Sequence, residues 1–74
     1  MATVSLDLKG LKCPQPILKI TVQAPKMKPG DIIEAIADCP SFEQDLRDWC
    51  TRSKKVLVWI RDEGSGVKRC QIKI

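Results

Sequence analysis

The chain has no histidine, only three aromatic side chains, no Cys-x-x-Cys pair and no long apolar run. Without an imidazole there is no Cys-His nucleophile pair, so activation of a cysteine would have to come from a helix terminus or from lysines. The four cysteines, Cys13, Cys39, Cys50 and Cys70, are scattered rather than paired at zinc spacing, and the commonest partner ligand is missing. No metal site is therefore expected. No stretch approaches the roughly 20 apolar residues that cross a bilayer, so no membrane span is expected. The formal net charge is +4, which could attract phosphates, yet no nucleic-acid motif or base-stacking aromatic string accompanies it. A basic surface that steers an acidic protein partner is the more economical account.

What is present is short. A chain of 74 residues reads as one domain, residues 1–74, and domains of this size bury only about 60% of their unfolded surface. That leaves no room for a deep catalytic cleft. Met1 leads into Ala2-Thr3-Val4-Ser5 without a basic and then apolar leader, so the expected setting is the cytoplasm, with thiols reduced.

Periodicity sets the elements. Thr3 to Leu8 alternates polar and apolar, as a half-buried strand does. Ile17, Ile20, Ala24 and Met27 recur at helical intervals, and Pro25 is expected to kink or end that helix early. Lys28-Pro29-Gly30-Asp31 reads as a turn before a strand over Ile32–Ala37. Ser41 with Gln44 fits a capping box opening a second helix, along which Phe42, Leu46, Trp49, Cys50 and Ser53 keep helical spacing. Cys50 beside Trp49 then reads as a core residue. Two final strands, Lys55–Asp62 and Val67–Ile74, flank a hairpin connection at Glu63-Gly64-Ser65-Gly66. Strict alternation would put Val56, Val58 and Ile60 on one face of the third strand and Leu57, Trp59 and Arg61 on the other.

The most informative segment is Leu11-Lys12-Cys13-Pro14-Gln15-Pro16-Ile17. Proline suits the first helical position, which predicts Pro14 there and Cys13 as the N-cap. Cysteine is a poor cap beside Ser, Thr, Asp or Asn, which favours chemistry over capping. A thiolate at that point would meet the partial positive charge of the helix start and the nearby Lys9 and Lys12. Because Pro14 and Pro16 have no N–H, the first-turn donors left for the sulfur would be Gln15 and Ile17.

The run from Leu6 to Pro16 closely resembles the signature of the TusA/SirA-like sulfur carriers, an Asp-x-x-Gly-x-x-Cys-Pro-x-Pro string. Asp7, Gly10, Cys13, Pro14 and Pro16 all fall in register. The resemblance continues through Lys28-Pro29-Gly30-Asp31 and from Asp38-Cys39-Pro40 to Asp45, and so covers nearly the whole chain. It implies an α+β fold, a β-α-β-α-β-β two-layer sandwich with a four-stranded mixed sheet and two helices on one face, like the C-terminal domain of translation initiation factor 3. It also implies a function. Cys13 would accept sulfane sulfur as a persulfide from a cysteine desulfurase or rhodanese-type donor and pass it to a reactive thiol on an acceptor protein. Such a carrier needs no cofactor beyond the covalent persulfide, and it serves tRNA thiolation, sulfur-cofactor assembly or sulfur oxidation. A monomer that meets its partners in turn is expected. Cys39 stands where the family usually has an acidic residue.

Three points stay open at the level of sequence. Trp59, with Arg61, is either an exposed anchor for a partner, alongside Lys9 and Lys12, or a ring that merely covers the sheet edge or packs on Arg61. Cys39-Pro40 repeats Cys13-Pro14 in miniature, so Cys39 is either a second thiol near a helix start or a tolerated loop residue. Sulfur carriage itself competes with a non-catalytic regulatory module or a nucleic-acid-binding module.

Overall fold

Alternating side chains make Thr3–Asp7 the first strand, β1, and the computed structural model, which describes residues 2–74, continues with α1 (Gln15–Gln23), a 3-10 turn (Ala24–Lys26), β2 (Ile32–Ala37), α2 (Phe42–Ser53), β3 (Val56–Gly64) and β4 (Val67–Lys73). The strands form one mixed sheet in the order β1-β2-β4-β3. β1 runs parallel to β2, while β4 pairs antiparallel with both β2 and β3. The α+β, β-α-β-α-β-β architecture is the one the sequence implied.

The core lies between the helices and one sheet face. Ile17, Ile20 and Ala24 from the first helical segment, Phe42, Leu46, Trp49 and Cys50 from α2, and Ile33, Ala35, Cys70 and Ile72 from the sheet form a single buried cluster. Pro25 acts as expected: having no N–H to give and crowding the carbonyl four residues back, it stops α1 at Gln23 and leaves a 3-10 turn. The αL residue that ends α2 is Lys54, with φ of 59°.

Strict alternation fails in β3. The register slips between Leu57, opposite Ile72, and Trp59, opposite Gln71. The extra residue, Val58, inverts the parity of the strand from Trp59 to Asp62, where a second slip precedes Gly64. Leu57 and Ile60 consequently both pack on the core, whereas Trp59 and Arg61 share the opposite face. Trp59 is half-buried, and the Arg61 guanidinium lies 4.9 Å from its ring centroid.

That outer face carries a chain of charge. Arg61 Nε meets Glu63 Oε2 at 2.9 Å, Arg69 Nε meets Glu63 Oε1 at 2.9 Å, and Arg69 Nη1 reaches Glu34 Oε2 at 3.0 Å. Gln71 Nε2 donates to Glu34 Oε1 at 2.8 Å. The Gln71 and Arg69 hydrogen bonds hold Glu34 below its usual range, and those from Arg69 and Arg61 do the same for Glu63. Asp31 is lowered by the backbone N–H groups of Lys28 and Ala2, and Glu43 by Arg47. Carboxylates with depressed folded values contribute stability that is complete above their unfolded values and is lost as pH falls through the folded ones. The thermal midpoint should therefore drop as pH goes below about 4.3, the ordinary glutamate value. A Glu34→Gln, Glu63→Gln double variant should show a shallower acid slope, read by melting at a series of pH values; an unchanged slope would show that these pairs do not drive the loss.

Candidate functional site

Parallel neighbours place their following loops at the same end of the sheet, and here that juxtaposes the β1–α1 loop with the β2–α2 loop. Pairing runs one residue past β1, with Leu8 N–H donating to Ile36 O at 2.7 Å. The Asp7 carboxylate then accepts from Lys9 N–H at 3.1 Å and turns the chain. Gly10 follows at φ +83°, a region that side-chain-bearing residues rarely adopt, and its N–H donates to Asp38 Oδ1 at 3.0 Å. Asp7 and Gly10 thus shape the loop, and Asp38 ties it to its neighbour.

Cys13 emerges from this tie accessible to solvent. It is not the N-cap. Pro14 occupies that position, with φ −97° and ψ 23°, so Gln15 is the first residue of α1 and buried Pro16 the second. The Cys13–Pro14 peptide is cis. The expected donors are also committed elsewhere: Gln15 N–H bonds Lys12 O at 2.8 Å and Ile17 N–H bonds Pro14 O at 3.1 Å.

What reaches the sulfur instead is Ser41. Its hydroxyl lies 3.0 Å from Cys13 Sγ, 2.9 Å from Asp45 Oδ2 and 3.6 Å from Cys39 Sγ. The capping box is accordingly absent: Ser41 makes no side-chain cap bond, and Gln44 turns to Asp48. One hydroxyl proton serves one acceptor at a time, so sulfur and carboxylate compete for it. Cys39, 4% exposed, is joined to Cys13 in a disulfide, with Cα atoms 5.7 Å apart. Cys39 is therefore part of the site and no mere loop filler. Linear spacing also concealed that donor atoms of Cys13, Cys39 and Asp45 lie within 4.8 Å of one another. While the two sulfurs are bonded to each other, neither is a thiolate that could ligate a metal.

Comparison with known proteins turns this geometry into an assignment. The family model described as "Sulfurtransferase TusA" matches residues 4–74. The chain belongs to the TusA family. A relative from Aquifex aeolicus (strain VF5), described as "Putative sulfur carrier protein", is 34% identical over 59 residues, which is 80% of this chain and 30% of the relative. The chain thus spans under a third of that relative's length.

Among the other residues of this TusA-family chain, Lys9 and Lys12 are exposed in the Cys13 loop. Trp59 and Arg61 are not brought to it: they sit on β3, the edge strand opposite β1, on the face away from the core. Sequence reasoning missed Leu18 and Val22, 55% and 60% exposed on α1. With Leu11, Gln15 and Lys19 they line a groove of about 350 Å³ beside the Cys13 turn. The signal was available as an i, i+4 apolar pair lying off the buried Ile17–Ile20 stripe.

Cys50 and Cys70 are buried. Burial pushes the Cys50 thiol up, and pushes Cys70 up to about 12. Both are protonated at neutral pH and poor nucleophiles. Replacing either with Ala should cost about 1 kcal/mol or more through lost packing, while sulfur loading of the folded protein stays unchanged. Denaturant melts beside a loading assay would check this, and loss of loading by a fully folded variant would implicate a relay of thiols.

Proposed function

We propose that this chain carries sulfane sulfur as a persulfide on Cys13 and hands it from one protein to another. The observation that carries the reading is the accessible Cys13 at the head of Cys-Pro-Gln-Pro, next to Lys9 and Lys12, which offers its thiol once the bond to Cys39 is reduced, in a chain whose free thiols, Cys50 and Cys70, are buried and protonated. In loading, the Cys13 thiolate attacks the outer sulfur of a donor persulfide; the new S–S bond forms as the donor's own S–S bond breaks, and the donor leaves as a thiolate. Unloading repeats the exchange, with an acceptor thiolate attacking the outer sulfur and Cys13 leaving. No cofactor takes part beyond the persulfide itself.

Both exchanges need only an exposed sulfur and a docking surface, which suits a small domain without a deep cleft. A cysteine desulfurase or rhodanese-type protein supplies the sulfur and a protein with a reactive thiol receives it, in tRNA thiolation, cofactor assembly or sulfur oxidation. The chain works as a cytoplasmic monomer that meets these proteins in turn. Lys9 and Lys12 steer acidic partners toward the loop, and the Leu18–Val22 groove gives them apolar surface to cover. The description of the Aquifex relative as "Putative sulfur carrier protein" supports the carrier reading. The test is to incubate the reduced chain with a desulfurase, cysteine and a second protein bearing a reactive thiol: sulfur should pass through Cys13 to that thiol, and a Cys39→Ser chain, which lacks the thiol paired with Cys13, should hold one added sulfur atom on the Cys13 peptide. Absence of transfer, or sulfur on the Cys39→Ser chain found only at other residues, overturns the proposal.

A further inference from the structure

We propose that Cys39 is a resolving thiol that discharges the Cys13 persulfide as sulfide, leaving the Cys13–Cys39 disulfide. The inference rests on persulfide carriage by Cys13 as proposed above. Four observations lead to it.

First, the two cysteines lie 26 residues apart in sequence, yet the paired loops bring their Cα atoms to 5.7 Å, within the range of about 4.4–6.8 Å that disulfides span. Second, their exposures differ. Cys13 is open to other proteins while Cys39 is 4% exposed, so an external thiol meets Cys13, and the sulfur within reach of Cys39 is that of Cys13. Third, the contact is made with Cys13 Sγ, which in the loaded chain is the inner sulfur of the persulfide. Fourth, a proton route is present: Ser41 Oγ lies 3.6 Å from Cys39 Sγ and 2.9 Å from the Asp45 carboxylate.

The step balances without an outside oxidant. Cys39 gives its proton through Ser41 toward Asp45, and its thiolate attacks Cys13 Sγ. The Cys13–Cys39 bond forms as the persulfide S–S bond breaks, and the outer sulfur leaves as hydrosulfide, which takes up a proton. The sulfane sulfur is reduced by two electrons, and the two cysteine thiols are oxidised to one disulfide. Because attacker and target are held together, the reaction does not wait on diffusion. A docked acceptor must take the outer sulfur before Cys39 displaces it. In the disulfide form Cys13 cannot be loaded, so a dithiol reductant of the thioredoxin class is needed to reset the chain. Cys39 would thereby give this carrier a second outlet, soluble sulfide, and a redox gate on reloading.

The test uses the full chain, reduced and freed of reductant, then given a limiting amount of inorganic polysulfide. Beyond the sulfide that the shortened polysulfide itself leaves on loading, which Cys39→Ser shares, the wild type should release one sulfide per sulfur loaded and finish two hydrogens lighter than the reduced chain, with the Cys13 and Cys39 peptides cross-linked. Cys39→Ser should gain one sulfur and hold it, releasing sulfide at least about tenfold more slowly once the tethered attacker is gone. Cross-link mapping of the wild type keeps the test valid should that variant fold poorly. Equal persistence of the added sulfur in wild type and Cys39→Ser overturns the resolving role and leaves carriage intact. So does a disulfide that forms just as fast in a reduced chain carried through without polysulfide. If neither chain gains sulfur on Cys13, carriage falls and the resolving role falls with it.

Discussion

Cys13→Ser is expected to reduce sulfur loading to background while leaving the fold in place. A hydroxyl cannot form the S–S bond on which both loading and unloading depend. The remaining thiols do not substitute: Cys50 and Cys70 are buried and protonated, and Cys39 is shielded from an external donor. The fold survives because Cys13 is exposed, precedes the cap of α1 and lies outside the buried cluster. Melts of the two proteins should coincide in the presence of reductant. Without reductant they should separate, since a disulfide closing a 26-residue separation restricts the unfolded chain by roughly 3 to 4 kcal/mol in the chain-entropy account. The serine variant should be indifferent to reductant, whereas the wild type should melt higher once oxidised. A Cys13→Ser, Cys39→Ser double variant that gains sulfur as fully as Cys39→Ser alone, read by intact mass after incubation with a desulfurase and cysteine, would sink the carrier assignment.

Local sequence signals predicted local structure well. The six-element order followed from alternation, helical spacing and turn residues, and Pro25 stopped α1 because its effect depends only on its own ring and its missing N–H. The errors arose where two local rules competed or where a contact spanned the fold. Cys13 was displaced from the cap by one residue, because the backbone around Pro14 supplies the capping carbonyl to Ile17 and Leu18 itself. Ser41 left its capping box for a sulfur and a carboxylate that come near only after folding. The bulge at Val58 is invisible to a period-two pattern, since Leu57, Val58, Trp59 and Ile60 are all apolar and nothing in their order marks the slip.

The site itself was half legible. Cys13, its two prolines and the shaping residues Asp7 and Gly10 form one contiguous string, so a linear reading reaches them all. Cys39, Ser41 and Asp45 join that string only because β1 and β2 are parallel neighbours whose loops are tied by Gly10 and Asp38. Proximity of that kind belongs to the sheet order, and no spacing rule along the chain carries it.

Phe42→Ala should produce the largest loss of stability, about 3–5 kcal/mol, the range for removing a buried aromatic ring. Phe42 has no exposed surface and is among the largest fully buried side chains. A small domain has little reserve: at roughly 0.05–0.15 kcal/mol per residue, a chain of 74 residues holds about 4–11 kcal/mol in all. The substitution therefore consumes at least a quarter and up to the whole of it, and the thermal midpoint should fall by about 15 °C or more. Function should follow stability here, because Phe42 is the first residue of α2, its N–H donates to Cys39 O at 3.0 Å, and Ser41 immediately precedes it. Under reducing conditions the variant should expose Cys50 and Cys70 to alkylation that the folded wild type resists. Phe42→Leu, which keeps most of the buried volume, should cost only about 1 kcal/mol and retain loading. A Phe42→Ala protein melting within a few degrees of wild type would mean that the core collapses to fill the space, and the start of α2 would then owe its position to the Cys13–Cys39 and Gly10–Asp38 ties rather than to the ring beneath it.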